Sequence, residues 1–215
     1  MAVTCKPLGN TGAAVCPFLM KVARRIVLVP EFDAAGAKNE FATIAEVTKE
    51  ALQTKFDAAD PLDRWYPLTL MENVEDAREE TVFFTWESGQ KVRIRQGTRT
   101  MTAALPNDNA DTTLMGNLQD WYGQKFGIYI IDKHGNYIYD KGLSDEVQPI
   151  MVDGNSFDTN LVKEAYSDPL YVMVQMDLRE DVNDADLRYL PLDSLDFDGR
   201  TDDFYGLWNL TLTEE

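Results

Sequence analysis

Apolar residues recur at two spacings along the chain, and the two spacings predict different elements. Alternation or short continuous runs predict strands at Lys21–Val29 (ended by Pro30), Trp65–Met71, Val147–Val152, Leu170–Met176, Leu187–Leu190 and Tyr205–Leu212. Val82–Trp86 and Lys91–Gln96 predict a hairpin joined by Glu87-Ser88-Gly89-Gln90. Its second arm puts Val92 and Ile94 on one face and Lys91, Arg93 and Arg95 on the other. A second hairpin is predicted in GIYIIDKHGNYIYDKG, residues 127–142. There Ile128-Tyr129-Ile130-Ile131 and Tyr137-Ile138-Tyr139 flank a turn at His134-Gly135-Asn136, and Gly135-Asn136 suits positive φ.

Helical spacing occurs twice. Asn39-Glu40 offers a cap and an acidic first turn, followed by a stripe of Phe41, Ile44, Ala45, Thr48, Leu52 and Phe56 that ends before Pro61. Asp111 or Thr112 can cap a second helix carrying Leu114, Leu118, Trp121 and Tyr122, stopped by Gly123 or Gly127. Turns are expected at Asp153-Gly154-Asn155, Ser167-Asp168-Pro169 and Asp198-Gly199. Residues 1–20 show no period and read as an irregular arm. Residues 21–215 read as a single β-rich domain without internal repeats. The fold class expected is α+β, mostly β: an antiparallel β-sandwich or barrel with two flanking helices.

Composition narrows the function. At 44% hydrophobic, 215 residues can bury a substantial core. No apolar run approaches the roughly 20 residues of a membrane span, so no membrane partner is expected. The start MAVTCKPLGNTG lacks a basic region followed by an apolar run, so the reading is a chain made and used in the cytosol or exported as part of something larger, with Cys5 and Cys16 as reduced thiols.

Charge changes the picture more. The net charge is −17 and is unevenly placed: residues 1–139 hold 18 acids and 15 bases, residues 140–215 hold 19 acids and 5 bases. An acidic third repels nucleic acid and anionic lipid. It suits a basic partner, a cation, or the wall of a path along which a polyanion must not stick.

Candidate chemistry is sparse. His134 is the single histidine and sits at a predicted turn tip. Asp132 could orient it, but no nucleophile pattern completes a triad. The simpler reading is an exposed turn residue. The acidic stretches at 181–188 and 193–203 hold many oxygen ligands, yet neither matches a calcium loop, and Asp196-Phe197-Asp198-Gly199 is a fragment of one. No Gly-rich phosphate loop occurs in strand-loop-helix context. Lys91, Arg93, Arg95 and Arg99 form one basic concentration. A basic strand and an acidic third on one molecule are complementary surfaces, so copies could meet head to tail. No cofactor and no metal are expected.

The organisation resembles that of tailed-bacteriophage structural proteins, and is most similar to tail-tube subunits. The arm KPLGNTGAAVCP, the strand RRIVLVP, the central VRIRQGTRTMTAALP with a helix after it, the ribbon GIYIIDKHGNYIYD and the closing YGLWNLTL carry the likeness over most of the length. It implies a β-sandwich subunit whose sheets join into a hexameric ring, with rings stacking through arms and loops around a negative lumen. It transfers no catalytic residue. The expectation is a non-enzymatic virion component, assembled in the host cytoplasm with copies of itself and other tail proteins, past which DNA moves without specific binding. Expected inter-subunit residues are Lys91, Arg93 and Arg95 with Phe18 and Leu19 of the arm. Asp193, Asp196, Asp198, Asp202 and Asp203 are expected in an acidic lumen or contact loop. Two alternatives stand beside this: a neck ring or tail terminator, and an acidic secreted enzyme or carbohydrate-binding domain.

Overall fold

The structure, a computed structural model, describes residues 23–95, 97–106, 112–142, 146–162 and 170–200. Among them are twelve strands and two α-helices, and all strand pairings are antiparallel. The mostly β class with antiparallel sheets is therefore observed. The arm, with Phe18 and Leu19, lies outside the described residues, as do Asp202, Asp203 and the expected strand 205–212.

Two central strands organise the body: β1 (Ala23–Pro30) and β7 (Phe126–Asp132), paired from Ala23↔Asp132 to Pro30↔Phe126. Both are nearly continuous apolar runs because both their faces are covered. Ile26, Leu28, Phe126, Ile128 and Ile130 enter one core cluster. Val27, Val29, Tyr129 and Ile131 enter the other. Parity along the strand thus sorts side chains between two cores.

The other edge of β7 is shared. Its first half pairs with β10 (Ile150–Val162), and its second half pairs with β8 (Tyr137–Lys141). From β10 the sheet continues through β11 (Tyr171–Leu178) and β6 (Arg99–Pro106) to β3 (Glu72–Arg78). It then curls back on β1, because Leu68 N–H donates to Ile26 O at 2.9 Å and Met71 N–H to Arg24 O at 2.7 Å. Closure of this kind leaves few exposed edges. The short β2 (Tyr66–Pro67) also pairs with β1, while β12 (Leu187–Leu190) and β9 (Val147–Gln148) flank β8.

Helix α2 (Thr112–Gln119) buries Leu114 and Leu118 in the first core, as its spacing predicts, but it ends before Trp121 and Tyr122, which were expected on it and lie in the turns that follow, Tyr122 exposed. The first predicted helix needs correction. Asn39 does not cap it: its amide donates to Pro30 O and Leu62 O, and its Oδ1 accepts from the Trp65 indole, all beneath the surface. Helix α1 spans Lys49–Phe56, with Thr48 accepting from Ala51 N–H at 3.2 Å. Leu52 and Phe56 are buried but Ile44 is exposed, because it lies in a separate 3₁₀ turn, Ile44–Glu46. Asp153-Gly154-Asn155 is not a turn between elements. It sits inside the 13-residue β10, where pairing with β11 shifts register between Asp153 and Asp158.

Candidate functional site

Two hairpins share one turn geometry. In the first, β4 (Val82–Thr85) and β5 (Lys91–Arg95) are closed by Trp86 N–H donating to Gln90 O at 2.9 Å and Gly89 N–H donating to Trp86 O at 2.8 Å. In the second, β7 and β8 are closed by Asp132 N–H donating to Asn136 O at 3.0 Å and Gly135 N–H donating to Asp132 O at 2.9 Å. Each has a three-residue loop whose last member is a left-handed glycine: Gly89 at φ +81° and Gly135 at φ +83°. The expected positive φ at Asn136 is not observed, since in a loop of this length one left-handed residue suffices.

The β7–β8 hairpin is buried. Tyr129 and Tyr137 stack with centroids 4.9 Å apart, and burial raises both phenol pKa values well above the ordinary value. The Tyr129 hydroxyl donates to Val147 O at 2.7 Å. His134 is exposed at the loop. Asp132 does not orient its imidazole; its Oδ1 accepts the backbone N–H groups of His134 (2.7 Å) and Asn136 (3.0 Å), and its Oδ2 accepts from the Asn136 amide (2.8 Å). The carboxylate organises the turn.

The β4–β5 hairpin is a separate two-stranded sheet that no body strand pairs with. It extends the ribbon made by β3 and β6, with Glu79 N–H donating to Thr98 O at 2.9 Å at the junction. From there to the loop is about 30 Å at roughly 3.3 Å per residue. The junction is tied down electrostatically: Arg99 is bidentate on Asp76 at 2.7 and 2.6 Å and reaches Asp184 at 2.6 Å, and Arg78 reaches Asp184 at 2.8 Å. The hydrogen bond to Asp76 is the main reason the Arg99 pKa is raised. Strand β3, ENVEDAR, bulges near Asn73 at φ +49° and was not predicted, since its charged side chains alternate with nothing.

The register Phe83↔Arg93, Phe84↔Val92 and Thr85↔Lys91 sets the hairpin's two faces. One carries Phe84, Trp86, Val92 and Ile94. The other carries Phe83 with Lys91 and Arg93. Val92 and Ile94 do share a face, as predicted, yet that face is not buried: Phe84, Trp86 and Ile94 are 46%, 55% and 63% exposed. Phe84 and Trp86 meet edge to face at 4.9 Å, so the hairpin's aromatic ridge is preformed. Among the described residues, Lys91 and Arg93 have no carboxylate within salt-bridge distance. For Arg95 the structure gives only its backbone place at the end of β5.

A second apolar surface is concave. A groove of about 620 Å³ runs between the end of β1, the 61–66 segment and the turn after α2, walled by Phe32, Leu62, Tyr66 and Trp121. Trp121 is held edge-on against Tyr66 (5.3 Å) and Phe126 (5.0 Å). Glu31, Asp33 and Asp120 line it against one cation, Lys125. Neither surface was read from the sequence as a site.

The acidic loop is built into the fold. Asp196 Oδ1 accepts from Lys49 N–H at 2.8 Å, placing a carboxylate at the positive end of α1. Asp198 pairs with Arg200, whose Nε donates at 2.8 Å, and this bond holds the Asp198 pKa below the usual carboxylate value. Asp193 is exposed in a short 3₁₀ turn, Leu192–Ser194. The loop also packs over the β7–β8 turn, where Leu192 N–H donates to Asn136 Oδ1 at 3.4 Å. Elsewhere in the acidic third, burial and then Asp186 and Asp181 raise the Asp140 carboxyl to about 6. Among the described residues no cluster of His, Cys, Asp or Glu has metal-site geometry.

No family model matches the chain, and no curated protein matches it. Among solved structures, a chain from the tail of an empty GTA particle with C6 symmetry matches at 14% identity and a TM-score of 0.31, covering 56% of this chain and 81% of that one. A likeness that weak carries no functional argument.

Proposed function

We propose that the chain is a non-enzymatic structural subunit that associates with copies of itself into rings, and that the rings stack as the tube of a phage-like tail. The observation that carries the reading is the β4–β5 hairpin: an ordered ribbon, rooted by ion pairs, with Phe83, Phe84, Trp86, Val92 and Ile94 all facing water. Large exposed apolar patches mark interaction surfaces. A hairpin that makes no contribution to its own core suits burial in an assembly.

The charge asymmetry fits the same role. With 19 acids and 5 bases, residues 140–215 carry a net charge that repels DNA, as a conduit requires. The sequence resemblance supplies the hexameric ring, the tail location, assembly in a host cytoplasm and the other tail proteins as partners. Negative-stain microscopy of the purified protein tests the proposal. Stacked tubes are expected. Single rings would favour a neck or terminator component, and compact monomers at every concentration would overturn it. Deleting residues 2–18 should leave a folded chain that forms no tubes; unaltered polymerisation would remove the arm from the mechanism.

A further inference from the structure

Large apolar side chains exposed among the described residues are concentrated. Of twelve, six lie on the hairpin: Val82, Phe83, Phe84, Trp86, Val92 and Ile94. Two more, Phe32 and Leu62, line the groove, and Tyr122 follows Trp121 of its wall. One patch is a convex ridge and the other is concave, so they are complementary in shape. They are also complementary in charge. Residues 82–95 carry Lys91, Arg93 and Arg95 against Glu87, a net of +2 on a chain of −17. The groove carries Asp33 and Asp120 against Lys125, while its third acid, Glu31, is already paired with Arg179 at 3.2 Å. Its volume of about 620 Å³ lies within the roughly 300–1,000 Å³ of clefts that bury small ligands, room enough for one or two aromatic side chains.

We propose that the β4–β5 hairpin of one copy seats in the Phe32–Trp121 groove of a second copy. The inference rests on the self-assembly reading above and names its contact. No hairpin residue lines the groove of its own chain, where ridge and groove both stay exposed. Phe84 and Trp86 act as anchors, the aromatic type that dominates interface energetics when a pocket desolvates it. Lys91 and Arg93, on the opposite face of the ribbon, meet the acidic rim of Asp33 and Asp120 and fix orientation. Because ridge and groove are different surfaces, the contact is heterologous: repeated, it closes into a ring or continues as a stack.

Two measurements test it in full-length protein with Cys5 and Cys16 replaced by serine. In the first, Ser88→Cys chains, altered at the hairpin loop and keeping both anchors, are mixed with Leu62→Cys chains and mildly oxidised. A cross-linked dimer should form in the mixture and not with either chain alone. In the second, Lys91→Glu with Arg93→Glu should weaken association at least tenfold by sedimentation. Adding Asp33→Lys with Asp120→Lys should restore it. Circular dichroism melts coincident with the parent exclude misfolding. Assembly without the cross-link, and indifferent to both charge reversals, would overturn this contact while leaving self-assembly standing. Cross-linking within a single chain carrying both cysteines, at the expense of dimer, would place the hairpin in its own groove and overturn the exchange between copies. A parent that stays monomeric at every concentration would overturn the self-assembly reading itself.

Discussion

The β7–β8 and β4–β5 hairpins are built alike and placed in opposite surroundings. Both turn through a three-residue loop ending in a left-handed glycine, and both carry aromatic and β-branched residues on their arms. In β7 all seven residues are buried. In β4 all four are exposed. The first hairpin gains its stability within one chain, at roughly 25 cal/mol per Å² of apolar surface removed from water. The second leaves the same kind of surface in water, so its gain is deferred to a contact between chains. Strand pattern therefore reports that a surface will be buried, and is silent on what buries it.

The sharpest way to break the comparison is truncation of matched aromatics. Phe126→Ala, in the body core against Trp121 and Phe157, should cost about 3–5 kcal/mol in urea unfolding. Phe84→Ala should change monomer stability by about 0.5 kcal/mol or less, as surface substitutions do. Equal costs would mean the hairpin packs within its own chain.

Smaller effects separate structural acids from solvated ones. Asp196→Ala removes the carboxylate that accepts the Lys49 N–H and should cost about 1 kcal/mol, while Asp193→Ala should fall within about 0.5 kcal/mol. Similar losses at both would show that the cap is not what distinguishes them.

Asp140 adds a pH signature. Its folded pKa of about 6 stands above the ordinary 3.8, so the native state holds the proton more tightly. The corresponding stability is fully present below pH 3.8 and is lost as pH rises through about 6. Two units correspond to roughly 3 kcal/mol, and half-exposure reduces that to about 1 kcal/mol. Asp140→Asn should therefore raise the melting temperature at pH 7.5 by about 2–4 °C and leave it unchanged near pH 3.5. An equal gain at both pH values would detach the effect from ionisation. The smallest effect belongs to His134→Asn, expected within about 0.5 kcal/mol, with assembly matching the parent's; a loss of assembly in the variant would give the imidazole a role that its exposed position does not suggest.

Legibility followed local physics. Both hairpins, the Leu187–Leu190 strand and the Leu114/Leu118 helix were readable because period and turn residues sit within a few positions of each other. Strand β3 was hidden because four of its seven residues are charged and show no apolar alternation, and its partners, β6 and the Arg99 that pairs with Asp76, come from more than twenty residues away. Asn39 misled because a cap residue and a buried amide satisfying Pro30, Leu62 and Trp65 look the same in one dimension. The hairpin's residues were legible as a strand pair with a basic face. Its apolar exposure and the groove's walls were not, since both depend on segments from 30 to 125 meeting, or failing to meet, in space.

The central claim is that the hairpin serves assembly and leaves folding to the body. Sedimentation velocity on the full chain and on Phe84→Ser/Trp86→Ser tests it, each paired with a thermal melt. Large assemblies are expected for the parent and a monomer of unchanged melting temperature for the variant. Assemblies of the same size from both chains, or a monomer that melts well below the parent, would contradict it.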